Sequence, residues 1–157
     1  MATYLLDSSA LVKHYHTEAG TAEIDRLFAE LESRRFIARL TVVEVQSALA
    51  RKVREGTIPA PELTEVYGRF FADITHRRVQ IVRMTDDHYR AAERLVRQYG
   101  PVAGAPRLRT LDALQLAVAL EVHQRQPLDG FVVADEDLAA VAQQEHLTVR
   151  NPVMMSK

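Results

Sequence analysis

The chain has 157 residues, 47% of them hydrophobic, no cysteine and a formal charge of -1, a balance that fits one ordinary globular domain burying roughly two-thirds of its unfolded surface. The lack of cysteine excludes disulfides, zinc-thiolate sites and thiol nucleophiles. No apolar run approaches the ~20 residues that span a bilayer, and Asp7 comes too early for a signal peptide, so a soluble cytoplasmic protein is expected.

In chain order, residues 3–6 form a short apolar run that predicts a buried strand, followed by a helix over 9–15. A second helix is predicted over 19–33, where Ile24, Leu27, Phe28 and Leu31 recur at i, i+3, i+4 and i+7. A strand over 36–38 leads into a helix over 42–54 that Gly56 would close. After Pro59 and Pro61 a helix runs to about His76 and buries Leu63, Val66, Tyr67, Phe70 and Ile74. Adjacent Phe70 and Phe71 do not fit one stripe, so one of them should be exposed and available to a dimer.

A strand over 79–83 and a helix over 85–99 follow, stopped by Gly100-Pro101, and the stretch 101–108, with Gly104 and Pro106, is a long loop. Residues 110–123 are almost all apolar, as expected of a helix buried inside a domain. A strand over 130–133, a helix over 136–144 and a short edge strand at 148–149 complete a single domain over 1–150. The tail, 151–157, is expected to fray beyond Pro152. Strands alternating with helices predict an α/β fold: three α/β/α layers around a parallel sheet of four to five short strands.

Such sheets bind ligands outside the carboxyl ends of their strands. Asp7 and Asp135 each follow a predicted strand, while Glu44 and Asp112 lie near helix starts. Taken singly, each has a capping explanation. Asp7 or Ser8 caps the first helix, Thr41-Val42-Val43-Glu44 fits a capping box, Asp112 follows a Thr110 cap, and Asp135 is an N-cap. Taken together they imply more, because Glu44 and Asp112 are set among apolar residues. Two carboxylates ~4 Å apart repel by roughly 4 kcal/mol at an effective dielectric of 20. A cluster of four calls for a divalent cation, Mg²⁺ or Mn²⁺, both of which take hard oxygen ligands.

The segment Leu5-Leu6-Asp7-Ser8-Ser9-Ala10-Leu11-Val12-Lys13 resembles the opening motif of PIN-domain nucleases. Thr41-x-x-Glu44 resembles their second motif and Leu108-Arg109-Thr110-Leu111-Asp112-Ala113-Leu114-Gln115-Leu116-Ala117 their third. Ala134-Asp135-Glu136-Asp137-Leu138 resembles the fourth. The ordered set covers essentially the whole chain and is most similar to the VapC group of bacterial toxins. Two positions depart from the pattern: Val133 stands where relatives often carry Ser or Thr, and Gln115 where they often carry His.

The resemblance implies a PIN-like fold and a Mg²⁺-dependent endoribonuclease, the toxin of a toxin–antitoxin pair. Asp7, Asp112 and Asp135 would bind the metal directly or through water and Glu44 would complete the set. Ser8 or Ser9 would orient Asp7 or meet the phosphate, unless they only cap the helix. Asp137 would share metal or water contacts, or serve only as a first-turn acid. Thr110 and Arg109 lie beside the third acid, and Lys13, Arg51, Arg107 and Arg109 are candidates to hold RNA. A small antitoxin that occludes the acids, a homodimer, and a heterotetramer or larger assembly with the antitoxin are the implied partners. Three readings compete. A haloacid-dehalogenase-type phosphatase needs a second Asp where Ser9 stands. The others are a catalytically weak RNA- or protein-binding module and a stand-alone RNA-processing nuclease.

Overall fold

The computed structural model describes residues 1–155; residues 156 and 157, the end of the expected tail, lie outside the described residues. Five strands alternate with helices. They are β1 (Thr3–Leu6), β2 (Arg34–Ala38), β3 (Gln80–Val82), β4 (Gly130–Val132) and β5 (Val149–Arg150). The order is β3-β2-β1-β4-β5 and every pairing is parallel. The helices are α1 (Ser8–Tyr15), α2 (Thr21–Ala29), α3 (Arg39–Arg54), α4 (Leu63–Thr75), α5 (Asp86–Tyr99), α6 (Thr110–Arg125), α7 (Glu136–Gln144) and α8 (Pro152–Met155), with a 3-10 turn at Ala60–Glu62.

Side chains alternate across the sheet and feed two cores. Tyr4, Leu6, Ile37 and Val132 pack with apolar residues of α1 to α4, including Leu11, Leu27, Leu49 and Phe70. Leu5, Phe36, Phe131 and Val133 point the other way, into a core with Leu95, Leu116 and Leu138 from α5, α6 and α7. The expected α/β/α layering with five parallel strands is therefore present. The chain winds from β1 outward to β2 and β3, then returns to place β4 on the free side of β1. The strand order reverses between β1 and β4, and in doubly wound sheets a crevice opens at that point beyond the carboxyl ends. Among the described residues, no helix is long and apolar enough to cross a membrane.

Several local expectations are corrected. α2 stops at Ala29, so Leu31 is 95% exposed rather than on the apolar stripe. The cause is Arg35, whose Nη1 donates to the carbonyls of Leu27 and Glu30 at 2.7 and 3.1 Å and so takes acceptors that a further turn would use. α3 starts at Arg39, three residues earlier than expected, because β2 passes into it without a loop. The frayed tail is instead the short helix α8, with Pro152 buried. Gly20, at φ +92°, makes room for it, since a Cβ there would come within 3.1 Å of the Pro152 backbone. Of the adjacent aromatics, Phe70 is fully buried and Phe71 is 41% exposed.

Candidate active site

The site is built at the β1/β4 crevice. Leu6 pairs with Val132, and the next N–H, that of Asp7, donates to the Val132 carbonyl at 2.9 Å. The chain then turns into α1, and Asp7 Oδ2 accepts the Ser9 N–H at 2.9 Å as N-cap. The Ser9 hydroxyl reaches across to the end of β4, where it accepts the backbone N–H groups of Ala134 and Asp135 at 3.0 and 3.3 Å. Asp135 caps α7 through a 2.9 Å bond from the Leu138 N–H. One serine thus ties together the two junctions that carry acids.

Glu44 and Asp112 arrive from the two helical layers. Glu44 lies in the second turn of α3, because that helix begins at Arg39 with Ala38 as N-cap. The capping-box role expected for Thr41 and Glu44 is therefore not the one adopted. Instead, Gln115 Nε2 donates to Thr41 Oγ1 at 2.7 Å and to Glu44 Oε2 at 2.5 Å, joining α6 to α3. Asp112 is the third residue of α6, whose N-cap is Arg109 rather than Thr110; its Oδ2 accepts the Arg109 N–H at 3.1 Å. Thr110 and Asp137 are exposed first-turn residues of α6 and α7.

Electrostatics show that three of the acids share one field. Burial pushes the Asp7 carboxyl above its ordinary range; hydrogen bonds from Ser9 oppose the rise and the charge of Asp112 adds to it. Glu44 is pushed up to about 7, by burial foremost and by the charges of Asp7 and Asp112, against hydrogen bonds with Gln115 and Ser8 that lower it. Arg109 joins the fourth acid to the third, with Nε 2.9 Å from Asp112 Oδ2 and Nη2 2.9 Å from Asp135 Oδ2. Those contacts, with the hydrogen bond and charge of Asp112 foremost, raise the Arg109 pKa.

Among the described residues, no three acids or histidines converge as a ready-made metal cage. The donor set nevertheless fits a hard divalent cation. It is all carboxylate oxygen, and two of its members are destabilised as anions. Mg²⁺ keeps several waters and binds through few carboxylates, so it suits a loose set of this kind. Asp7, Glu44, Asp112 and Asp135 are the residues that would hold it.

Two cations expected near the acids lie elsewhere. α1 and α3 lead away from the carboxyl edge, so Lys13 and Arg51, in their last turns, sit at the far end, paired with Glu18 at 3.5 Å and Glu55 at 3.8 Å. Arg107 is exposed in the loop that leads into α6. Sequence reasoning missed Arg39 and Arg83, which follow β2 and β3 just as Asp7 follows β1. That position after a strand was the signal that would have found them.

The PIN domain family model matches residues 4–144, a span that includes all four acids. No curated protein sequence matches the chain. Solved structures match in fold. A toxin–antitoxin complex from Klebsiella pneumoniae superposes with a TM-score of 0.62 at 16% identity, covering 95% of this chain and 97% of that one. Mycobacterium tuberculosis VapC20, described as a sarcin–ricin loop cleaving toxin, gives 0.62 at 18% identity, with 88% and 94% covered. FitAcB from Neisseria gonorrhoeae gives 0.63 at 16% identity, with 95% and 97% covered. At these identities the neighbours speak for the fold, and the family match speaks for membership: this chain belongs to the PIN domain family.

Proposed function

We propose that the protein is a Mg²⁺-dependent endoribonuclease, with Mn²⁺ able to substitute, and that it acts as the toxin of a toxin–antitoxin pair. The observation that carries this reading is the shared electrostatic field of Asp7, Glu44 and Asp112 at the β1/β4 switch point. Family membership supports nuclease chemistry, and the Klebsiella pneumoniae complex and VapC20 support the toxin role.

When bound, the metal would neutralise charge on the scissile phosphate and acidify a coordinated water. The chain's own residues supply the rest. Asp7, Asp112 and Asp135 would hold the cation, and Glu44, raised to about 7 in the metal-free chain, would complete the set as a carboxylate. Ser9 fixes the Asp135 turn against α1. Arg109 bridges Asp112 and Asp135 in the metal-free chain and would be released toward a phosphate once the metal takes its share of their charge. Sequence-specific recognition of RNA favours unpaired loops, so a loop within a structured RNA is the proposed target.

An antitoxin that covers this edge, a homodimer that uses the exposed Phe71, and a larger complex of the two complete the proposal; the site of action is the cytoplasm. A binding-only module is the competing reading, favoured by the direct contact of Arg109 with two of the acids. Incubation of the purified protein with a stem–loop RNA in EDTA, then with Mg²⁺ or Mn²⁺ restored, separates the two. The nuclease reading expects discrete cleavage only with metal, and no cleavage at any metal concentration would leave the binding module.

A further inference from the structure

Arg39 and Arg83 are neighbours by register. β2 and β3 pair in parallel with Ala38 opposite Val82, and each arginine is the next residue. Adjacent strands lie about 4.8 Å apart, so the two arginines follow neighbouring strand ends at the carboxyl edge. Both residues are exposed. Among the described residues neither side chain has a hydrogen bond, ion pair or ring contact, whereas those of Arg34, Arg35, Arg78, Arg109 and Arg150 are all engaged. Folding does not explain the placement. Arg39 opens α3, where a cation opposes the helix macrodipole, and no acid stands in that first turn to offset it.

Exposed first-turn acids flank the site on both sides of the edge, at α7 and at α5. On the β4 side, Glu136 and Asp137 are exposed in the first turn of α7, and Arg150 of β5 is folded over the Tyr4 ring at 4.9 Å. On the β2/β3 side stand the two free guanidinium groups. The acids following Arg83 are Asp86 and Asp87, which open α5, and Asp87 is paired with Arg90 at 3.2 Å.

We infer that Arg39 and Arg83 form a phosphate-binding subsite for single-stranded RNA, which leads the strand from the four acids across the ends of β2 and β3. The inference rests on the nuclease reading and adds to it a direction for the substrate. Arginine suits such a site because its fork meets two phosphate oxygens at once.

The test is fluorescence anisotropy of a labelled 12-nucleotide single-stranded RNA in EDTA, across a salt series, beside Mg²⁺-dependent cleavage by the wild-type protein. Each phosphate contact on a single strand contributes about 0.7 to the slope of log affinity against log salt. The R39Q/R83Q variant should therefore lose about 1.4 from that slope and bind about tenfold more weakly, and R39K/R83K should regain most of the slope. An R54Q/R77Q control removes the same charge from exposed arginines at the other edge and should bind nearly as the wild type does. Equal loss in the control, or unchanged affinity and slope in R39Q/R83Q while the wild type still cleaves RNA, overturns the subsite alone. A wild type that neither binds nor cleaves RNA overturns the nuclease reading and the subsite together.

Discussion

Gln115 on α6 donates a 2.5 Å hydrogen bond to the Glu44 carboxylate on α3. The same nitrogen also reaches Thr41, while Gln115 Oε1 is buried without a partner. The amide is thus used as a donor alone, toward a carboxylate that burial and two neighbouring acids push up to about 7. Replacing Gln115 with Met keeps roughly the same volume and removes the donor. The Glu44 pKa should then rise by up to about one unit. Carboxyl-carbon NMR titration of metal-free protein checks this, and an unchanged midpoint would remove Gln115 from the account.

Metal-free stability should depend on pH in a defined direction. Glu44 is raised from 4.5 to about 7 and Asp7 is raised as well. Between the unfolded and folded values the native state holds protons that the unfolded chain has released, so stability falls as pH rises. The Glu44 part of the decline should begin near pH 4.5 and end near pH 7. Discounted for solvent screening, the Glu44 share is on the order of 1 kcal/mol, which corresponds to about 3 °C for a domain of this size. Thermal melts in EDTA from pH 4.5 to 8 measure it, and Glu44→Gln should flatten the curve. A stability that climbs through this window would contradict the charge coupling.

Arg109 acts as an internal cation between Asp112 and Asp135. A metal entering the site competes with it for the same oxygens. Arg109→Gln should therefore lower the melting temperature of metal-free protein and tighten Mn²⁺ binding severalfold in titration calorimetry. Weaker Mn²⁺ binding would mean that Arg109 helps to build the metal site rather than competing for it.

The layers and two of the acids were legible because they depend on local pattern. A residue that follows a strand in a β-to-α connection must lie at the carboxyl edge, which places Asp7 and Asp135 without knowledge of any contact. Glu44 was correctly placed near that edge but given the wrong local role, since nothing in Arg39-Leu40 marks a helix that starts directly from a strand. The partners of Arg109 and Gln115 were not legible at all. Arg109 meets an acid 26 positions away and Gln115 one 71 positions away, and such contacts depend on how the two helical layers close over the sheet. The end of α2 and the docking of α8 were misread for the same reason, because a side chain from β2 stops one and the backbone at Gly20 receives the other.

As proposed, the acids act together as a metal-dependent nuclease site rather than as helix caps. Asp7→Asn tests this most directly, because Asn caps a helix about as well as Asp while it removes a buried carboxylate. The decisive measurement is the rate of Mg²⁺-dependent cleavage of a stem–loop RNA by this variant, with its melting temperature recorded beside it. The rate should fall at least about 100-fold, since one charged ligand of the ion is lost, in a protein at least as thermostable as the wild type. Full cleavage by a folded Asp7→Asn protein would contradict the proposal.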